Sequence, residues 1–143
     1  MKTHLHKQRG VGLLDAMIAM AILAFGLLAL TRFQGHMMAQ TKETQSRSVA
    51  RQFADELMSL ALVDPANVNC YTLPAAGACG NPTARAMTTA WATRVANGRL
   101  PGVVTATAAL AGTQLTVTLN WTGRDTTEAV DVPRTLMAVT DVQ

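Results

Sequence analysis

The spacing of hydrophobic positions changes along this chain, and each change marks an element. From 11 to 30 the sequence VGLLDAMIAMAILAFGLLAL is apolar or small on every side, with Asp15 as its single charge. At about 1.5 Å per residue this stretch makes a helix of about 30 Å, the thickness of a bilayer core. From 31 to 62 there is no proline, and the composition shifts to Ala, Gln, Met, Arg and Glu, which helices tolerate or favour. Val49, Phe53, Leu57 and Leu60 recur there at helical spacing as one apolar stripe, while Arg47, Arg51 and Asp55 run along another face. Arg51 and Asp55 are placed to pair one turn apart. The pattern predicts one helix from 11 to 62, closed by Asp64-Pro65 because a proline disfavours helix at the residue before it. Gly26 and Gly35 are its soft points, where it bends or a neighbour approaches closely.

Residues 64–82, DPANVNCYTLPAAGACGNP, are punctuated by Pro, Gly and Asn and predict a loop. A second helix follows, with Asn81 as its N-cap, Pro82 in its first turn and Gly98 at its stop. Met87, Trp91 and Val95 form its apolar stripe, and Trp91 reads as core packed on the long helix rather than as a ligand platform. From 103 the period becomes two. A short strand is expected at 103–107 and a turn at 111–113. Leu115, Val117, Leu119 and Trp121 then alternate with Thr116, Thr118 and Asn120 as a half-buried strand. A turn at 122–125 leads to a third strand at 134–140, with Leu136 and Ala138 on one face and Met137 and Val139 on the other. Pro133 fits the first residue of that strand or an edge. The result is an antiparallel meander whose apolar face is covered by the 49–60 stripe, an α+β plan.

The charge ahead of the apolar stretch sets its orientation. Residues 1–10, MKTHLHKQRG, carry Lys2, Lys7 and Arg9 and no acid. Such a leader holds the N-terminus in the cytoplasm and sends residues 31–143 across the membrane. A secretory signal would have a shorter apolar core and a small-residue cleavage site after it. Here Leu30 runs directly into Thr31, Arg32, Phe33 and Gln34. Asp15 lies near the helix start, where it meets the positive end of the helix dipole. On residues alone it reads equally as a simple cap on a membrane anchor.

Gly10 followed by VGLLD resembles the class III signal of type IV prepilins. In that family the pattern is Gly, Phe, Thr, Leu, a variable residue and Glu. Here Val11, Gly12 and Asp15 replace Phe, Thr and Glu, while Gly10, Leu13 and the position of the acid are kept. The continuation AMIAMAILAFGLLALTRFQ is similar to the PilV-type minor pilins, and the specific match covers residues 8–34. The resemblance implies cleavage between Gly10 and Val11 by a prepilin peptidase and methylation of the new Val11 amine. It also implies pairing of Asp15 with the terminal amine of a neighbouring subunit. The domains it implies are a leader at 1–10, a membrane or filament-core half-helix at 11–30 and a periplasmic domain at 31–143. The fold class expected is therefore α+β and type IV pilin-like: a long N-terminal helix with a membrane half and an amphipathic half, packed on a small antiparallel sheet.

Composition narrows the chemistry. The chain has 143 residues, 12 bases, 9 acids and a net charge of +3. Three of the bases lie in the leader, so the part beyond 30 is nearly neutral and its charge does not point to nucleic acid. Cys70 and Cys79, with no His or further Cys nearby, make a poor zinc site. In an oxidising compartment they read as a disulfide, the alternative being two free buried thiols. Met17, Met20, Met37 and Met38 read as adaptable packing between helices rather than as metal ligands. The motifs GxSxG, HExxH, GxGxxG and the P-loop are absent. His4 and His6 leave with the leader, and Ser46, Ser48 and Ser59 have no histidine set for them. Neither an enzyme nor a cofactor is expected.

The first function expected is a minor pilin that helps to prime pilus assembly and sits in a tip or priming complex. Its partners would be other minor and major pilins, the prepilin peptidase, a tip adhesin and the inner-membrane assembly platform. The alternatives are a minor pseudopilin of type II secretion, an uncut membrane-anchored binding domain, and a DNA-capturing pilin. The last would use Arg85, Arg94, Arg99, Arg124 and Arg134, but no interleaved aromatics support stacking on a single strand.

Overall fold

The computed structural model describes residues 11–124 and 130–143. The leader, with Gly10, lies outside them. The chain forms α1 (Val11–Val63), a 3-10 helix (Pro65–Tyr71), α2 (Pro82–Ala96), β1 (Thr105–Ala111), β2 (Gln114–Arg124) and β3 (Asp131–Asp141). It is an α+β fold, pilin-like in outline, with its long N-terminal helix packed on a three-stranded antiparallel sheet of order β1-β2-β3. Contacts divide it into two compact units, the first ending at Met38 and the second running Ala39–Gln143.

α1 is uninterrupted, as expected of a stretch without proline, and it stops where Pro65 opens the 3-10 helix. That 3-10 helix replaces the first part of the loop expected at 64–82. No side chain or other chain segment comes within 4 Å of where a Cβ would stand at Gly26 or Gly35, so neither meets a neighbour within the chain.

The core of the second unit lies between α1, α2 and the inner face of the sheet. The stripe on α1 is turned slightly from the expected one. Ala50, Ala54, Leu57 and Ala61 are completely buried, while Val49, Phe53 and Leu60 flank them half-buried. Alanines hold the centre because they let the helix settle close to the sheet, and the larger residues fill the margins. α2 is turned in the same way. Ala84, Thr88, Trp91 and Val95 are buried, whereas Met87, expected on the stripe, is 47 % exposed. Thr88 takes the inward position because its hydroxyl satisfies itself, reaching Cys70 O at 3.0 Å and Ala84 O at 3.1 Å.

Asn81 caps α2 as expected, its Oδ1 accepting from Thr83 N at 3.1 Å and Ala84 N at 3.2 Å. Gly98 follows the helix for a steric reason rather than a left-handed one. A Cβ there would stand 2.8 Å from Arg94 O and 3.1 Å from the Phe53 ring.

In β2, Leu115, Val117, Leu119 and Trp121 all face inward and are buried, as the alternation requires. The other strands are displaced from their expected limits. β1 begins at Thr105 rather than 103, after Gly102 turns the chain at φ 73°, and it uses Ala108 and Leu110 up to the turn. Ala108 enters the strand although alanine is a weak strand former, because its backbone is paired on both sides, with β2 and with Leu73. Residues 122–124 of the turn expected at 122–125 are instead strand, with β2 running on to Arg124, paired with Asp131, while Asp125 lies outside the described residues. Gly123 makes this possible, since a Cβ there would stand 2.9 Å from both Arg134 Cγ and Glu43 Oε2. β3 accordingly starts at Asp131, and Pro133 sits inside it on an edge strand. Leu136 and Ala138 face the core, and Met137 and Val139 face out.

Candidate functional site

In α1, every residue from 12 to 38 is exposed in the isolated chain, including Leu13, Ile18, Leu23, Phe25 and Phe33. A helix apolar on all sides belongs in a protein core or a lipid phase. This segment has neither within the chain, and it is long and apolar enough to cross a membrane. Intrachain help is limited to local bonds such as Thr31 Oγ1 donating to Leu28 O at 2.9 Å.

Val11 opens the described part of α1 and Asp15 lies one turn beyond it, exposed and followed by no further charge until Arg32. Asp15 is the only charged residue among the described residues of this half-helix before Arg32.

A second polar assembly ties the 64–85 region together. Cys70 and Cys79 form a disulfide, with their Cα atoms 4.8 Å apart. Asp64, at the end of α1, accepts from Asn67 Nδ2 at 2.8 Å, the Tyr71 hydroxyl at 3.4 Å and Asn81 Nδ2 at 3.5 Å. One carboxylate thus joins the end of α1, the 3-10 helix and the cap of α2. Burial, and then the negative charge and hydrogen bond of Asp64, push the Tyr71 hydroxyl above its ordinary pKa. Arg85 reaches back from α2, donating from Nη1 to Thr72 O at 2.8 Å and from Nη2 to Asn69 O at 2.7 Å. Thr72 Oγ1 accepts from Ala76 N at 2.9 Å and shares its one proton between Asn69 O and Ala76 O. The segment is held at many points besides its disulfide, and Leu73 adds a two-way backbone pairing with Ala108.

The remaining expected sites disperse. Arg94 pairs with Glu56 and Arg134 with Glu43, joining α2 and β3 to α1. Glu43 also takes Arg47 at 3.0 Å. Arg51 and Asp55 form no ion pair among the described residues. Arg85, Arg94 and Arg134 are thus committed to internal contacts, Arg99 is exposed apart from them, and the side chain of Arg124 lies outside the described residues. Among the described residues no three His, Cys, Asp or Glu side chains gather as a metal site. Asp64, Arg85 and Thr72 organise the segment between the helices without any sequence motif. The nearest signal was the pairing of an acid before Pro65 with a capping Asn81. A comparison with protein-family models, with curated proteins and with solved structures found no match for this chain.

Proposed function

We propose that this chain is an assembly subunit of a type IV pilus, a minor pilin. Residues 11–30 hold it in the inner membrane with its domain in the periplasm, and the same half-helix later packs among those of other pilins. The observation that supports the reading is the exposed apolar run of α1 from 12 to 30 with Asp15 as its single charge. An ionised group inside an apolar span is costly, and an anchor needs Asp15 for no more than capping its helix. A cation on the next subunit removes the cost, and a free or methylated Val11 amine, exposed by cleavage after Gly10, supplies it. The small disulfide-tied domain on the second half of α1 fits a subunit built for packing rather than for catalysis. The partners are other minor and major pilins, the prepilin peptidase, the assembly platform and a tip adhesin.

Mass spectrometry of protein extracted from membranes tests the first step. The expected N-terminal peptide begins at Val11 and carries a methyl group. An intact leader in cells with an active prepilin peptidase refutes the reading. Recovery with sheared pili separates a pilus subunit from a secretion pseudopilin, which would stay with the cell envelope.

A further inference from the structure

We infer that Cys79 is the site at which this domain exchanges disulfides with an external partner, and that Cys70 is the resolving cysteine that closes the bond behind it. What an incoming sulfur can reach decides the order. Cys70 is 0 % exposed and belongs to the core. Buried Tyr71 follows it, and its carbonyl accepts from Thr88 Oγ1 at 3.0 Å. Cys79 is half-buried, and its neighbours Ala78 and Gly80 are exposed and bring only a methyl group and no side chain. Its Sγ stands 3.1 Å from Asn81 O, at the cap of α2. Thiol–disulfide exchange needs contact between sulfurs, because a thiolate attacks one sulfur of a disulfide and displaces the other. In the folded domain Cys70 is closed to that contact, and Cys79 is the one of the pair left to make it.

The second requirement is that the two cysteines stay together while the bond between them is open. Hydrogen bonds that owe nothing to the disulfide hold both sides. Arg85 brackets Cys70, donating to Asn69 O at 2.7 Å and to Thr72 O at 2.8 Å. Thr72 Oγ1 accepts from Ala76 N at 2.9 Å and fixes the middle of the loop. Beyond Cys79, Asn81 caps Thr83 N and Ala84 N and donates to Asp64, which also takes Asn67 Nδ2 at 2.8 Å. The Cα atoms of the pair, 4.8 Å apart, are therefore held within reach of each other. A cysteine fixed beside a mixed disulfide attacks it at high effective concentration.

The co-reactant is an external disulfide, R–S–S–R. In the reduced chain the Cys79 thiol gives up its proton and its thiolate attacks one sulfur of the partner. The bond from Cys79 Sγ to that sulfur forms, the partner's own S–S bond breaks, and RS⁻ leaves and takes up a proton. The Cys70 thiolate then attacks Cys79 Sγ. The Cys70–Cys79 bond forms, and the second RS⁻ leaves with the proton that Cys70 gave up. The two cysteines lose two electrons, and the partner gains them and ends as two thiols. Reduction runs the same path backwards, with attack at Cys79 and Cys70 as the leaving sulfur.

The test uses the full chain in detergent micelles, reduced and freed of reductant, with oxidised glutathione as the probe. Samples are quenched with acid at intervals and mapped by mass spectrometry. The expected first product carries glutathione on Cys79, exceeds the Cys70 adduct by about tenfold or more, and converts to the Cys70–Cys79 bond. Cys70→Ala should stop at a stable Cys79 adduct formed at the parent's rate. Cys79→Ala should leave a Cys70 that reacts about tenfold more slowly than Cys79 does in Cys70→Ala. In concentrated guanidinium the two cysteines should react alike, because burial is what separates them. Equal adducts in the folded chain, or an adduct on Cys70 first, overturn the inference. So does a preference for Cys79 that persists in guanidinium, which would place its cause in local sequence. The parent chain alone decides the matter if either variant fails to fold. None of these outcomes depends on leader cleavage or pilus assembly, so failure here is distinct from failure of the proposed function.

Discussion

Trp91 fastens α2 to α1, and its removal gives a measurable test of how the domain is held. The side chain is fully buried, and Nε1 donates to Phe53 O at 2.8 Å. Trp91→Phe keeps the ring nearest the backbone and deletes the outer part of the indole together with the donor. The lost packing is equivalent to about two buried methylenes at about 0.8 kcal/mol each. The lost hydrogen bond adds about 1 kcal/mol. Phe53 O keeps its place in the α1 ladder, so no large penalty for an unpaired carbonyl is added. The expected destabilisation is about 2–3 kcal/mol, and for a domain of about 100 residues this lowers Tm by about 10–20 °C. Thermal unfolding of the full chain in micelles, followed by the near-ultraviolet signal of buried Trp121, reads it out. Met87→Ala is the internal control. It lies on the same helix and was expected from spacing to share the stripe, but at 47 % exposure it should cost under about 1 kcal/mol. A Trp91→Phe loss no larger than that of Met87→Ala would refute this account of the helix interface.

Three further outcomes are expected. Asp15→Ala and Asp15→Asn should leave cleavage and membrane insertion intact but reduce recovery with partner pilins, and Asp15→Glu should retain it; normal recovery in both Asp15→Ala and Asp15→Asn reduces Asp15 to a helix cap. Replacing Cys70 and Cys79 by serine should cost at most about 3 kcal/mol by the loop-entropy model, and the domain should stay folded because Asp64, Arg85 and Thr72 still hold the segment. Global unfolding of that variant, read by circular dichroism, would show the network to be secondary. Because the folded pKa of Tyr71 is raised, the neutral hydroxyl contributes stability that is complete below the ordinary tyrosine pKa and is lost as pH rises through the folded value. Denaturant titrations above pH 9 should therefore fall more steeply for the parent protein than for Tyr71→Phe.

Much of the fold is written in one-dimensional period. An unbroken apolar run, a stretch without proline and a proline at 65 dictate α1, because helix continuation and termination are local events. Asn81 and Pro82 announce α2 for the same reason, and alternation announces β2. The membrane-length segment and its lone acid are legible too, since an apolar surface without polar relief is a property of composition. The tertiary structure decided what depends on distance between elements. It placed alanines rather than Val49 and Phe53 at the centre of the α1 interface, because closeness of approach is not encoded in hydrophobicity. It turned Met87 out and Thr88 in, because a carbonyl at Cys70 waits for the hydroxyl. It extended β2 through Gly123, which reads as a turn until Glu43 and Arg134 are seen crowding it. It also paired Ala108 on one sheet edge with Leu73 and set no described residue beside the other edge, since a strand's own residues do not say whether anything lies beside it.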